Sequence, residues 1–485
     1  MTLHDLGFLE PGRPWPPAPE VDRITEYKTN LSILEGDHLK VFEKIQTFLD
    51  AEPTDKKLPV FVDTAETSAK TSVDLVIKRP PKIFVAGGET AKAEACYRLI
   101  NTSKLARVIA KVAEDMTPCG VGVFKVRARD SRPIIQAVPP EHWFPVSPRG
   151  DPQAITAHVI AWTLEEAGEV EGQPLKYLFS EIYSLNDAGL CVVEHRLNSL
   201  KSEGGDTIGD RLELATFPEF SALPDVTETG VEGFLVVPVF NRPSSRHPYG
   251  RPALNKVTRQ NLEDLEMLLS LQHNTLWQFN KPDVNAPQSA FTFDEYRKMH
   301  VFRSGEAHMV RKDEAPVSPV VWDIQSGAWE AMITRLLDQI YESLELSPQL
   351  VSNTREGGQA ESGRALRFRL IPTLAKVDRI RAALDGGGYE DGIPLVLSLA
   401  SQLEAHLPEP VEGAAPFEAW EVSVEWADSL PKDQDAVVER ACKLKQNGLI
   451  STERYLEGEG LSEEARAEEL ERIKGEAEAA AGSLL

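Results

Sequence analysis

The residues closest to a known chemical motif are Gly120-Val121-Gly122, which begin like the dinucleotide fingerprint G-x-G-x-x-G. In that motif the glycines let the backbone turn tightly and approach a pyrophosphate at a helix N-terminus. Here Lys125 stands where the third glycine belongs, and strand texture continues where a helix should open. Nucleotide binding is therefore not expected. No GxxxxGK[ST], HExxH, EF-hand loop or GxSxG segment occurs. His300 and His308 are separated by a predicted break, a poor arrangement for a shared metal. The pairs Glu165-Glu166 and Glu463-Glu464 lie in polar runs and read as solvated faces, not as an acid/base dyad. Cys96, Cys119, Cys191 and Cys442 form no CxxC pair and read as small buried hydrophobes of a reducing compartment. These readings predict no catalytic residue, no cofactor and no metal.

One stretch is locally basic: Arg364, Arg367, Arg369, Lys376, Arg379 and Arg381, with only Asp378 and Asp385 as acids. Such a row can face phosphates or pair with the carboxylates of an acidic neighbour. The chain as a whole carries 76 Asp and Glu against 52 Lys and Arg, a formal charge of −24. A protein that grips DNA generally needs basic residues to displace counterions, so ion pairing with an acidic neighbour is the preferred reading. An acidic surface still allows DNA to pass nearby, because repulsion keeps it from sticking.

The elements that would hold these residues follow from periodicity. A proline-rich arm, residues 1–20 with Trp15 as its large anchor, is expected to be disordered or strapped onto a neighbouring subunit. Helical spacing starts near Ile24, is clearest over His38–Leu49, and returns over Ala91–Glu114. A short strand is predicted at Leu75 and Ile77. From Gly120 to Val239 the texture is β, with strands at 121–127, 134–138, 155–162, 177–185, 191–197 and 234–240, and a polar loop over 201–233. A long helix then carries Leu262, Leu265, Leu269, Gln272, Leu276 and Phe279 on one face. A second, about 326–346, repeats the stripe with Trp329, Ile333, Leu336, Ile340 and Leu344. The third runs from Leu366, kinks at Pro372, breaks at Gly386–Gly388 and resumes to Leu407. Val422, Val424 and Trp426 form a last, isolated strand. The length fits about two to four domains. The best apolar run, Ile393–Ala400, is far short of the ~18 residues that span a bilayer, and no signal peptide is evident.

After Trp426 come Leu430-Pro431-Lys432-Asp433, a helix, the turn Asn447-Gly448-Leu449-Ile450-Ser451, and an acidic helix closing on Glu469-Leu470-Glu471-Arg472-Ile473-Lys474-Gly475-Glu476. This order resembles the C-terminal end of tailed-bacteriophage portal proteins, the head–tail connectors. Ser362-Gly363-Arg364-Ala365-Leu366 resembles the S-G-x-A-L segment that opens the long helix of that family. Val237-Pro238-Val239-Phe240-Asn241-Arg242, followed by Gly250, resembles its wing-to-stem crossing.

The resemblance implies an α+β subunit that assembles into a ring. Its parts would be an N-terminal arm (1–20), an α/β wing (21–253, with return segment 408–430), and stem helices at 254–280 and 326–346. A clip (281–325), a tunnel loop (347–362), a long bent helix (363–407) and a helical crown (431–485) would complete it. It implies a non-enzymatic, ring-shaped channel, expected to be a dodecamer, at one capsid vertex for genome packaging and ejection. Implied partners are the terminase large subunit, the major capsid and scaffolding proteins, a head–tail adaptor, and translocating double-stranded DNA read without sequence specificity. No membrane partner is implied, and the expected locations are the virion and, during assembly, the host cytoplasm. The implied site residues are Asn353, Arg355, Glu356 and Gln359 in the tunnel loop, and Arg297, Lys298 and Arg303 in the clip. Arg364, Arg367 and Arg369 would form a basic helix facing the channel or the next subunit. Two rival readings are an enzyme of unrecognised fold and a non-channel phage head or tail structural protein.

Overall fold

Three antiparallel strand systems surround one apolar helix. The computed structural model describes residues 3–50, 57–129, 131–170, 173–201, 206–246, 248–279, 326–350, 368–388, 391–409 and 411–428, with short pieces of 284–319 and 443–473. The largest sheet runs Trp143–Val146, Ala157–Val170, Gln173–Leu185, Leu190–Lys201, Thr207–Leu212, with Val226–Glu232 pairing the start of Leu190–Lys201. In Leu190–Lys201 buried and half-exposed positions largely alternate, the signature of a strand covered on one face. A second sheet places Val121–Arg129 between Val236–Phe240 and Arg132–Val138. The architecture is α+β.

The helix Gly392–His406 buries Ile393, Val396, Leu397, Leu399, Ala400 and Leu403 in the main core. A helix apolar on most of its faces belongs inside a protein, and this one packs against strands of both sheets. Among the described residues no helix is long and apolar enough to cross a membrane. Leu105–Asp115 covers the second sheet with Leu105, Val108, Ile109 and Val112. The strand Val422–Glu425 closes the chain back onto Lys82–Val85, with Val422 opposite Val85 and Glu425 opposite Lys82. Lys92 Nζ to Glu421 at 2.8 Å and a two-point Arg98–Glu404 pair hold that closure.

The glycines of the failed fingerprint have a packing role. At Gly120, φ is +74° and an added Cβ would lie 2.5 Å from the Arg251 carbonyl carbon. At Gly122 it would lie 2.5 Å from Val112 O. Both therefore permit backbone contact that any side chain would block.

Several expectations are corrected. Leu75 and Ile77 are not a strand: Thr64–Val76 is a helix, and Ile77 is its C-cap. Its buried stripe is Ala65, Ser68, Ala69, Ser72 and Val76, small residues that a search for large apolar ones passes over. Ala91–Glu114 is two helices, Thr90–Ser103 and Leu105–Asp115, parted by Lys104 in the left-handed region (φ 50°). The supposed loop 201–233 contains two strands, Thr207–Leu212 and Val226–Glu232. Pro372 lies in the first turn of Ile371–Leu384, and the helical backbone at Phe368 and Arg369 is parted from that helix by the turn at Leu370, so the interruption expected at the proline falls there. The glycine break is found as expected: Gly386, Gly387 and Gly388 all have positive φ.

The proline-rich arm is bound to its own chain. Gly12 N–H donates to Ile208 O (2.7 Å), Ile208 N–H to Arg13 O (2.8 Å) and Trp15 N–H to Asp206 O (2.8 Å). Trp15 packs on Phe144 with ring centroids 5.0 Å apart, and Leu3 and Leu9 enter the same cluster. The helix Ala18–Leu34 follows directly.

Candidate functional site

The helices Lys256–Phe279 and Ser326–Ser343 pack on each other and form the best-defined candidate. Asn255 starts the first, its Oδ1 accepting from Val257 N–H (2.9 Å) and Thr258 N–H (3.2 Å). Leu262 and Leu265 from one helix and Leu336 and Ile340 from the other bury together with Leu344, Leu346, Ile33 and Ile45. The predicted stripe then divides. Farther along, Leu276 is 50% exposed, Trp277 55% and Met332 47%.

Sequence reading missed what straps the first helix down. Glu266, Ser270 and Asn274, four apart, form a polar row on one face. The segment 58–62 lies along this row. Val62 N–H donates to Glu266 (3.2 Å), Val60 N–H to Ser270 Oγ (2.9 Å) and Leu58 N–H to Asn274 Oδ1 (3.0 Å). The i, i+4, i+8 polar spacing inside an apolar helix was the available signal. Buried His38 completes the row: Nδ1 bonds Glu266 Oε1 at 2.6 Å and Nε2 meets Ile33 O at 2.9 Å. Two acceptors facing both ring nitrogens call for the doubly protonated ring. Burial alone would lower its pKa, but the Glu266 carboxylate outweighs this and raises it.

Part of the basic row has partners inside its own chain: Lys376, Arg379 and Arg381 all bond to groups of this subunit. Lys376 is buried, with Nζ donating to Leu344 O at 3.0 Å. Arg381 is buried and donates to Val76 O (2.9 Å) and Leu75 O (3.0 Å). Arg379 pairs with Glu345, which also pairs with Arg242. Burial would raise the Glu345 carboxyl, yet the two guanidiniums hold it below its usual value. Thr373 Oγ1 accepts from Ser347 N–H (2.8 Å), and Ser347 Oγ donates to Arg369 O (2.9 Å), completing the junction. Satisfied backbone carbonyls, invisible in sequence, explain why these cations turn inward.

Lys376 carries a pH prediction. Burial pushes its ammonium down to about 8, with Glu345 opposing. The unfolded chain thus holds this proton more tightly between about pH 8 and 10.5. The cost of the buried charge is fully present below pH 8 and disappears as pH rises toward 10.5, a change on the order of 3 kcal/mol. Urea titrations of Lys376→Met at pH 7, 8.5 and 10 should show the variant gaining on the parent most at pH 7. A constant difference across these pH values would contradict the assignment.

Of the site residues expected from sequence, Asn353, Arg355, Glu356, Gln359, Arg297, Arg303, Arg364 and Arg367 lie outside the described residues. Lys298 is exposed, at φ 52° in the turn between Thr292–Asp294 and Met299–Val301. Arg369 is exposed at the start of the junction. Exposed His300 meets Phe293 edge-on, with centroids 5.3 Å apart, while His308 lies outside the described residues.

Lys125, at the position of the absent third glycine, pairs with Glu181 inside the β-rich body, and Tyr183 donates to Glu181 at 2.9 Å. Burial lowers the Lys125 pKa against the pull of Glu181, and burial together with Glu181 raises that of Tyr183. The group lies beside a 290 Å3 cavity lined by Gln136, His142 and Trp162. It is an internally satisfied ion pair. No group of three His, Cys, Asp or Glu arranged to hold a metal occurs among the described residues. Burial pushes the Cys96 and Cys191 thiols up to about 11, far from the reactive range.

The class defined so far is an α+β protein with a long helix pair fastened to a β-rich body. Residues 277–483 match the family described as phage portal protein, SPP1 Gp6-like. This match supports the resemblance to tailed-phage portal proteins carried by the motifs. No curated protein matches the chain.

Proposed function

We propose that this chain is the portal subunit of a tailed phage, a virion component that forms a ring-shaped channel at one capsid vertex. In this reading the helix pair is the stem, 281–325 the clip, 347–362 the tunnel loop and 431–485 the crown. The β-rich body with its return strand is the wing. Twelve copies enclose a lumen through which duplex DNA enters during packaging and leaves at ejection. The clip, with Arg297, Lys298 and Arg303, docks the terminase large subunit and later the head–tail adaptor. Asn353, Arg355, Glu356 and Gln359 project from the tunnel loop toward DNA, and Arg364, Arg367 and Arg369 line the channel or the next subunit. The protein hydrolyses nothing itself; the terminase supplies the work.

The observation that carries this reading is the family match beginning at residue 277, within the first long helix, and running through the second and beyond. The outer ends of the helix pair leave apolar residues uncovered within one subunit, which a closed ring would bury through a heterologous interface. The excess of acid, including ten Glu against four Lys or Arg in 451–485, suits a surface along which DNA slides unheld. Negative-stain electron microscopy of the purified protein, with classified top views, tests it. Rings of roughly twelvefold symmetry with a hole wide enough for a duplex are expected. Solid particles of defined mass without a hole would overturn it.

A further inference from the structure

The end of the helix Ser326–Ser343 holds a glutamate where glycine ordinarily stands. Leu346 N–H donates to Tyr341 O (2.9 Å) and Glu345 N–H to Glu342 O (3.1 Å), the paired bonds of a Schellman ending. Leu346 and Tyr341 share one apolar cluster, the hydrophobic contact that accompanies this motif. Glu345 itself sits at φ 54°, where a Cβ crowds the backbone and glycine is preferred. Its partner Arg242 is also left-handed, at φ 53°. Two of the five left-handed non-glycine residues among the described ones therefore meet in a single ion pair.

The second carboxylate oxygen of Glu345 goes to Arg379, on the helix Ile371–Leu384. Arg379 Nε also donates to Asn241 Oδ1 at 3.3 Å. Asn241 is buried and anchored to the body, its Nδ2 donating to Met116 O (3.2 Å) and its N–H to Gly120 O (2.9 Å). Three chain segments thus converge on one carboxylate. A helix cap needs none of this, because glycine would serve it better.

We propose that Glu345 is a positioning residue. Its carboxylate clasps Arg242 and Arg379 and fixes the helix pair on the β-rich body, at the expense of backbone comfort at positions 345 and 242. The clasp stands on its own geometry. Only its consequence, that movement of the stem reaches the wing through this carboxylate, rests on the portal reading.

Hydrogen–deuterium exchange on the full-length protein separates a clasp from a cap. In Glu345→Gly the backbone relaxes and the carboxylate is lost. The clasp predicts exchange about tenfold faster or more in 336–344 and 373–384, with 157–185 unchanged. A mere cap predicts equal or slower exchange in those helices, which would overturn the proposal. Faster exchange everywhere, sheet included, would overturn it too, since that is lost stability and not lost coupling. Glu345→Gln, which keeps size and backbone, and Arg242→Met should each loosen the same two helices. They decide the matter if the glycine variant does not fold. Ring imaging bears on the portal reading alone, so the two can fail separately.

Discussion

Replacing Arg23 with methionine is expected to destabilise the protein by about 3–5 kcal/mol, read from urea unfolding followed by tryptophan fluorescence at pH 7. The side chains of Arg23 and Glu20 are 9% and 0% exposed. Nε of Arg23 bonds Glu20 Oε2 at 2.5 Å, while its other nitrogens donate to Pro140 O (2.9 Å) and Trp143 O (2.8 Å). The guanidinium also lies over the Tyr249 ring, 4.7 Å from its centroid, and Tyr249 OH donates to Glu20 Oε1 at 2.6 Å. Methionine fills much of the volume but strands a buried carboxylate and two carbonyls. Leaving one ion of a buried pair costs far more than losing an exposed bridge. The double change Glu20→Gln with Arg23→Met should therefore recover part of the loss. A single-variant cost below about 1 kcal/mol would mean that water reaches the pair.

Much of the fold could be read where one kind of residue carried the pattern. Apolar spacing that includes Leu105, Val108 and Val112 marked helix over Ala91–Glu114, and the strand read at 191–197 lies within Leu190–Lys201. The long helix pair was visible in three-and-four spacing. What escaped had a different physical basis. Thr64–Val76 buries serine and alanine, whose smallness permits close packing but leaves no hydropathy signal. The proline-rich arm is held by backbone hydrogen bonds to Asp206 and Ile208, which no side-chain pattern announces. Lys376 and Arg381 read as facing phosphates or an acidic neighbour because their acceptors are main-chain carbonyls remote in sequence. The portal resemblance was legible in the order of motifs. The polar row Glu266, Ser270 and Asn274, and the cap position of Glu345, required three-dimensional contacts to acquire meaning.

Changing Leu276 and Met332 together to glutamate should abolish assembly while leaving the subunit folded. Both side chains are about half exposed on the helix pair, so within one subunit glutamate meets water and costs little, within about 0.5 kcal/mol each. In the proposed ring the same positions face the next subunit. There each apolar side chain contributes about 1.5–3 kcal/mol by burial, and a glutamate adds an unpaired carboxylate that must be desolvated or protonated. Several kcal/mol per contact correspond to a weakening of roughly a thousandfold or more at every interface. Because a closed ring repeats one contact around its whole circumference, the defect is also repeated at each step and no subset of copies escapes it. Analytical ultracentrifugation should find rings for the parent and monomers for the double variant, with matching circular dichroism and melting temperature. Rings that survive both glutamates would place the intersubunit contact elsewhere than on the exposed half of the stem.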